Sequence, residues 1–232
     1  RAAVPYSIGP AADGVSFHIY EGLAVVFGDP DCSVERLLGS MRGVFDRWES
    51  RAPGFHYARK REYWHTEGNF DFIGWLSAER RAAWRMQFFT RAFAAGVRKV
   101  CVMDASERER AAVRGYLQTL PRPFPMRPVA AEVQVAKGRA TAFVHLDGDK
   151  PEAGRVWVLW AVAGTGDARV SVPVMCERVD TIGVDGVKTT CSTSDHRLMV
   201  DLKGDAKMAP PVLVVDRPTK GKAENPGNGL VP

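Results

Sequence analysis

The chain lacks most of the features that quickly reveal a functional class. Its four cysteines are scattered over 232 residues without the short spacing of metal-binding pairs, so no metal site is predicted. No apolar run approaches the ~20 residues that a membrane helix needs, and no signal peptide opens the sequence. The net charge of +5 is not concentrated on any one element, which argues against a nucleic-acid partner. We therefore predict no metal, no cofactor, no nucleic acid and no membrane among its partners.

The cysteines carry little further information. Cys101 lies within the apolar run Val100–Met103 and is predicted to be a small residue of a buried strand. Cys176 and Cys191 could meet across a sheet, and the sequence leaves open whether they form a disulfide.

The composition is that of an ordinary globular protein, with 45% hydrophobic and 25% charged residues, and the length suits one large or two modest domains. The first half contains three strand-then-helix units. Short apolar or β-rich runs predict strands at 14–20, 62–66 and 98–104, and apolar residues at i, i+3, i+4 and i+7 predict helices at 34–48, 78–95 and 107–120. Alternating strands and helices predict a parallel sheet.

Local signals mark the ends of the second and third helices. Ser77 is an N-cap residue, and Gly96 is a glycine that follows the last helical turn. Ser106 and Glu109 form a Ser-x-x-Glu capping box. Residues 121–126 contain prolines at every second position, which cannot continue a helix and indicate a stiff connection between domains.

Three units are fewer than the eight of a complete (β/α)8 barrel, which needs about 250 residues. A three-stranded parallel sheet with such apolar helices would leave large surfaces uncovered if it stood alone. Residues 1–126 are therefore predicted to be the last part of a (β/α)8 barrel.

After residue 127 the hydrophobic pattern changes to period two, which is typical of strands. Strands separated by turn residues are predicted at 131–135, 140–145, 156–162, 168–172, 179–184, 197–202 and 211–215. This pattern predicts an antiparallel β-sandwich over 127–217. A tail over 218–232, rich in Gly, Pro, Asn and Lys, is predicted to be disordered.

Two tryptophans of one predicted strand, Trp157 and Trp160, lie three residues apart and therefore point to opposite faces of the sheet. We expect one of them in the core and the other beneath the interface between the domains. The alternative is that an exposed tryptophan stacks on a sugar ring.

The segment Trp64-His65-Thr66-Glu67-Gly68-Asn69 places a carboxylate where a short strand gives way to a turn with glycine. Parallel α/β architectures hold their catalytic residues at the carboxyl ends of strands. Glu67 is therefore the candidate catalytic residue. The alternative is that Glu67 only caps a loop or forms a salt bridge there.

These segments resemble the C-terminal portion of retaining glycoside hydrolases of the (β/α)8 superfamily often called clan A. Residues 16–20, Ser-Phe-His-Ile-Tyr, resemble the sixth strand, residues 64–69 the seventh, and residues 100–104, Val-Cys-Val-Met-Asp, the eighth. The resemblance implies that Glu67 is the nucleophile and that His18, Tyr20 and Asn69 bind the carbohydrate substrate. It also implies an extracellular or periplasmic location.

The function implied by the resemblance is a retaining glycoside hydrolase that acts on β-linked poly- or oligosaccharide. The acid/base residue of that superfamily follows an asparagine at the end of strand four. We therefore expect the upstream barrel segment to be absent from this chain and the chain alone to be catalytically incomplete. The alternatives are a non-catalytic carbohydrate-binding or scaffold remnant, and a sandwich that serves as a protein-docking module.

Overall fold

A computed structural model describes residues 14–18, 62–67, 76–101, 106–120, 129–146 and 154–218. For residues 14–18, 62–67, 98 and 129 it describes the backbone alone. The predicted helix at 34–48, the proline-rich connection at 121–126 and the tail from 219 onward lie outside the described residues.

Three parallel strands form the first sheet. They follow the order β1–β2–β3 and span Gly14–His18, Glu62–Glu67 and Val97–Val100. Both neighbouring pairs run parallel. The parallel arrangement that the alternation of strands and helices predicts is confirmed for these three strands.

Two helices are described, and each follows a strand of this sheet. Helix α1 spans Ala78–Ala94 after β2, and helix α2 spans Glu107–Thr119 after β3. The side chain of Ser77 accepts a hydrogen bond from the backbone N–H of Arg80, and Gly96 has a φ of 90° just beyond α1. Glycine adopts this left-handed conformation without steric cost. Both hydrogen bonds of the predicted capping box are present at the start of α2.

The second half folds into two antiparallel sheets, which confirms the predicted all-β part. From β4 to β12 the strands span Val129–Ala130, Gln134–Lys137, Ala140–Leu146, Arg155–Ala161, Ala168–Pro173, Arg178–Ile182, Lys188–Ser192, Arg197–Leu202 and Val212–Asp216. The larger sheet has the order β10–β9–β12–β7–β6–β4, and the smaller has the order β11–β8–β5.

Strand β7 is covered on both faces. Every residue from Val156 to Ala161 is buried, and successive residues of a strand point to opposite sides. One face of the larger sheet packs on the smaller sheet, and the other packs on the two helices, where Arg91 of α1 lies over the ring of Trp160. A near-continuous apolar run is what such a strand requires. Among the described residues, the two helices, the larger sheet and the smaller sheet therefore share one hydrophobic core.

The structure corrects the prediction for Cys101. Strand β3 ends at Val100, and Cys101 is exposed and not part of a buried strand. The reason is that β3 lies at the edge of the described three-stranded sheet. Among its side chains Val97 is only 1% exposed, whereas Lys99 is exposed.

Two further differences concern the sandwich. The sequence does not predict strand β10, because its residues Lys-Thr-Thr-Cys-Ser show no apolar alternation. It is an edge strand with mostly exposed residues. The strand predicted at 131–135 instead occupies Gln134–Lys137, all exposed. Cys176 and Cys191 are both free thiols.

Candidate functional site

The carboxyl ends of β1 and β2 meet at one edge of the parallel sheet, here named the carboxyl edge. The two strands are in step up to the pair Phe17–His65, and the next pair joins the Cα positions of His18 and Glu67. Strand β2 therefore has one extra residue, Thr66, at this point. Such β-bulges are over-represented at the rims of barrels and next to active sites.

The sequence predicts His18 and Glu67 at neighbouring strand ends, and the backbone register pairs these two positions directly. Without the extra residue, His18 would be paired with Thr66. No glycine interrupts β2 to signal a bulge, so sequence reasoning missed this detail of the register. Tyr20 and Asn69, the other predicted site residues, lie outside the described residues.

A buried carboxylate joins the two chain connections that leave the carboxyl edge. The connection from β2 arrives at Leu76, and the connection from β3 arrives at Ser106. Arg81 donates from Nη1 to the carbonyl oxygen of Leu76 at 2.8 Å and from Nε to Oε2 of Glu109 at 3.2 Å. The backbone N–H and the hydroxyl of Ser106 donate to the same carboxylate oxygen at 2.9 and 2.6 Å. Glu109 therefore links the start of α1 to the start of α2.

Burial and charge pairing define this group, which we name the Glu109 cluster (Arg81, Arg85, Ser106 and Glu109). Arg85 and Glu109 are each 1% exposed, and Nε of Arg85 donates to Oε1 of Glu109 at 2.7 Å. Burial alone would raise the pKa of Glu109, but the hydrogen bonds from Ser106 and Arg85 outweigh it and lower that pKa below its ordinary value of 4.5. The carboxylate is therefore ionised at neutral pH.

Sequence reasoning found only part of this cluster. The Ser-x-x-Glu pattern predicts the contact between Ser106 and Glu109, but it says nothing about the two arginines. Their signal is weak: Arg81 and Arg85 stand four residues apart in a helix that is otherwise largely apolar in its middle. A buried arginine needs an acceptor inside the protein, yet the sequence does not say which carboxylate supplies it.

The sandwich contacts α1 close to the same helix start. Asp205, in the loop between β11 and β12, accepts hydrogen bonds from Nε and Nη2 of Arg80 at 3.0 and 2.7 Å. Further along α1, the side-chain amide of Gln87 donates to the carbonyl oxygen of Ala209 at 2.6 Å. The loop between β11 and β12 is thereby held against α1.

Polar groups also cross the middle of the interface between the helices and the sandwich. The hydroxyls of Thr90 and Tyr116 are 2.7 Å apart, and the Tyr116 hydroxyl lies 3.4 Å from Nε2 of His145. All three residues are buried, and burial raises the pKa of Tyr116 well above its ordinary value. At the end of α2, Arg217 donates to the carbonyl oxygen of Thr119 at 2.8 Å. The sandwich therefore holds the last turn of α2, at Tyr116 and at Thr119.

The two tryptophans of β7 are buried, as the sequence predicts. Trp157 is 4% exposed and Trp160 is 2% exposed. The ring of Trp160 stacks on Phe143 with centroids 5.5 Å apart, and the guanidinium of Arg91 lies 5.5 Å from its centroid. Trp160 is thus the residue beneath the interface, and neither tryptophan offers a free ring face to a sugar.

A groove of about 250 Å³ lies between α2 and the turn that follows β9. Small and apolar side chains form most of its lining. Its two charged side chains are engaged, because Arg108 pairs with Glu79 at 2.8 Å and Asp185 accepts from the backbone N–H of Val187 at 3.0 Å. Both charged side chains of the groove therefore have partners within the described part of the chain.

The described part of the chain contains no group of metal ligands and no membrane-spanning helix. No three His, Cys, Asp or Glu residues there are grouped so that they could hold a metal ion. Neither described helix is long and apolar enough to cross a membrane.

No family model and no curated protein matches the chain. Among solved structures it is similar to CelM2, a bifunctional glucanase-xylanase protein from a metagenome library, with 10% identity over 79% of this chain and 34% of that chain and a TM-score of 0.47. A protein from Neocallimastix frontalis shows 10% identity over 89% and 54% of the two chains, with a TM-score of 0.49. An Anoxybacillus alpha-amylase shows 10% identity over 75% and 42%, with a TM-score of 0.42.

The chain thus spans between about a third and about half of these three chains. Likenesses at 10% identity and TM-scores below 0.5 do not assign a family. The functional assignment therefore rests on the residues of this chain.

Proposed function

We propose that the chain carries the nucleophile-bearing part of a retaining glycoside hydrolase that acts on β-linked poly- or oligosaccharide. In this proposal β1, β2 and β3 are strands six to eight of a (β/α)8 barrel. The observation that supports it is the pairing of His18 with Glu67 at the carboxyl ends of neighbouring parallel strands, beside a β-bulge.

The chemistry explains why these residue types would be needed. A retaining glycosidase places two carboxyl groups about 5–5.5 Å apart; one attacks the anomeric carbon and the other protonates the leaving oxygen. Glu67 is the proposed nucleophile, which must stay ionised. His18 and Tyr20 are proposed to donate hydrogen bonds to Glu67 or to sugar hydroxyls, because such donors stabilise the charged carboxylate. Asn69 is proposed to contact the sugar.

The acid/base carboxyl group is proposed to come from an upstream barrel segment that this chain does not contain. Glu21 follows Tyr20 directly and suits a loop that contacts substrate better than it suits the acid/base role. The chain alone would then be catalytically incomplete. The protein that tests the proposal is therefore this chain in its natural reading frame, with the sequence encoded before Arg1 included.

The test is covalent trapping with a mechanism-based 2-fluoro glycoside, followed by mapping of the labelled peptide. We expect the adduct on Glu67, and we expect Glu67→Gln to abolish labelling and turnover while the fold is kept, because the amide is nearly isosteric but cannot form the glycosyl ester. Glu62→Gln is the matched control, because Glu62 lies at the opposite end of the same strand. This control should label like the wild type.

Azide provides a second, independent readout. Added to Glu67→Ala, it should restore part of the turnover and yield a glycosyl azide of inverted configuration, because azide replaces the missing nucleophile. An adduct on Glu21 or Glu62, or full activity of Glu67→Gln, would remove Glu67 from the role. Sugar binding without any adduct or turnover would favour the non-catalytic alternative.

A further inference from the structure

The structure ties together two chain segments that are far apart in sequence but leave the same edge of the sheet. Leu76 ends the connection that follows Glu67, and Ser106 ends the connection that follows β3. Both segments are bonded to Glu109, Leu76 through the guanidinium of Arg81 and Ser106 directly. One side chain of α2 therefore holds the arrival points of both connections.

The hydrogen bonds of this arrangement are charge-assisted. The Glu109 carboxylate receives donors on both oxygens: Arg85 on Oε1, and Arg81 together with the two donors of Ser106 on Oε2. Charge-assisted hydrogen bonds are shorter and stronger than neutral ones. A buried carboxylate with four donors from two helices is more than a helix cap requires, since the capping box alone needs only Ser106.

We propose that Glu109 is a positioning residue for the carboxyl edge. It holds the starts of α1 and α2 in one geometry and thereby fixes the points at which the connections from β2 and β3 end. This inference rests on the proposed function of Glu67. Glu109 itself acts through Arg81 and Ser106 and does not touch substrate.

The first test measures hydrogen exchange of single amides in the 232-residue chain, for the wild type and for Glu109→Gln. We expect exchange of the amides of Arg80 and Arg81 to become about tenfold faster although the change lies on the other helix, since Arg81 then loses its charged partner. Amides in the middle of α1, such as that of Phe89, should keep their rates. Glu107→Gln is the matched control, because Glu107 is exposed and pairs with Arg110 within its own helix turn.

This first test separates positioning from capping. Faster exchange confined to residues 106–110 would show that Glu109 only caps α2, and it would overturn the proposal. Equally faster exchange throughout α1 would show general loosening of the fold, and it would overturn the proposal as well.

The second test is covalent trapping of Glu67 in the protein expressed from the full reading frame. It compares the rate constant of trapping with the fraction of molecules that is trapped. Glu109→Gln should lower the trapping rate constant by up to about 100-fold, the loss that a displacement of about 1 Å can cause, while reversible sugar binding changes less than about twofold. Glu109→Asp, which keeps the charge, should recover part of the rate.

A purely structural role would lower the fraction of molecules trapped and leave the rate of the folded ones unchanged, which would overturn the proposal. Failure to label the wild type would instead overturn the proposed function itself.

Discussion

The two described helices are held in the protein in different ways. Among the 17 residues of α1 ten are buried, whereas among the 13 residues of α2 only Glu109 and Tyr116 are buried. Helix α1 lies between α2, β3 and the sandwich and is stabilised by apolar burial. Helix α2 is fixed by polar contacts at its start, through Glu109, and in its last turn, through Tyr116 and the carbonyl of Thr119. Neighbouring helices of one layer can therefore be held in different ways, α1 by an apolar stripe and α2 by a few buried polar contacts.

The largest loss of stability is expected when an aromatic ring of α1 is removed. Phe89 is 5% exposed and packs edge-on against both Phe88 and Phe93. Phe89→Ala should lower the free energy of unfolding by about 3–5 kcal/mol, because the buried ring leaves a cavity. Denaturant unfolding of the full chain measures the effect. A loss below about 1 kcal/mol would contradict apolar burial as the main stabilisation of α1.

Removing Arg85, the charged partner of Glu109 in α2, should have the next largest effect. Arg85→Met keeps the length of the side chain but leaves Oε1 of Glu109 without its guanidinium. We expect a loss of about 3 kcal/mol, the lower end for a broken buried ion pair, since Arg81 and Ser106 still bond to the carboxylate. Arg110→Met is the exposed control and should change stability by less than about 0.5 kcal/mol.

Acid pH should weaken the anchor of α2 but not the apolar contacts of α1. The folded pKa of Glu109 is lowered, so its contribution to stability is complete above its ordinary value of 4.5 and is lost as pH falls through the folded pKa. At pH 7, Glu109→Gln should cost about 2 kcal/mol. The gap between wild type and variant should narrow as the pH is lowered below 4.5, whereas the gap for Phe89→Ala should stay constant. Unfolding curves at several pH values test this, and a gap that widens in acid would contradict it.

The smallest predicted effect concerns Gly115 of α2, which is half-buried and lines the groove beside the turn after β9. A Cβ atom added at Gly115 would meet nothing within 4 Å, and glycine within a helix is less favourable than alanine by about 0.5–1 kcal/mol. Gly115→Ala should therefore raise the free energy of unfolding by about that amount. The matched variant on α1 is Ala92→Leu, where the residue is fully buried and overpacking should cost about 1–3 kcal/mol. Destabilisation by Gly115→Ala would show that the groove has no room for the added methyl group.

Local signals in the sequence determined much of the described fold. Ser77, Gly96 and the Ser106–Glu109 capping box set the helix ends, because capping depends on residues within one turn. The alternation of strands and helices predicted the parallel pairing, and the period-two pattern predicted most strands of the sandwich. The buried tryptophans followed from the same periodicity. The signals for these features lie among neighbours along the chain.

Only the tertiary structure decided the extra residue at Thr66, the edge strand β10 and the partners of Glu109. The pairing of His18 with Glu67 depends on register between strands more than forty residues apart in the chain. Strand β10 carries no apolar signal, because an exposed edge strand is held by its backbone hydrogen bonds to β9. Arg81 and Arg85 find Glu109 only once α1 and α2 pack together. In each case the deciding contact joins groups that are distant in sequence, so no local pattern can record it.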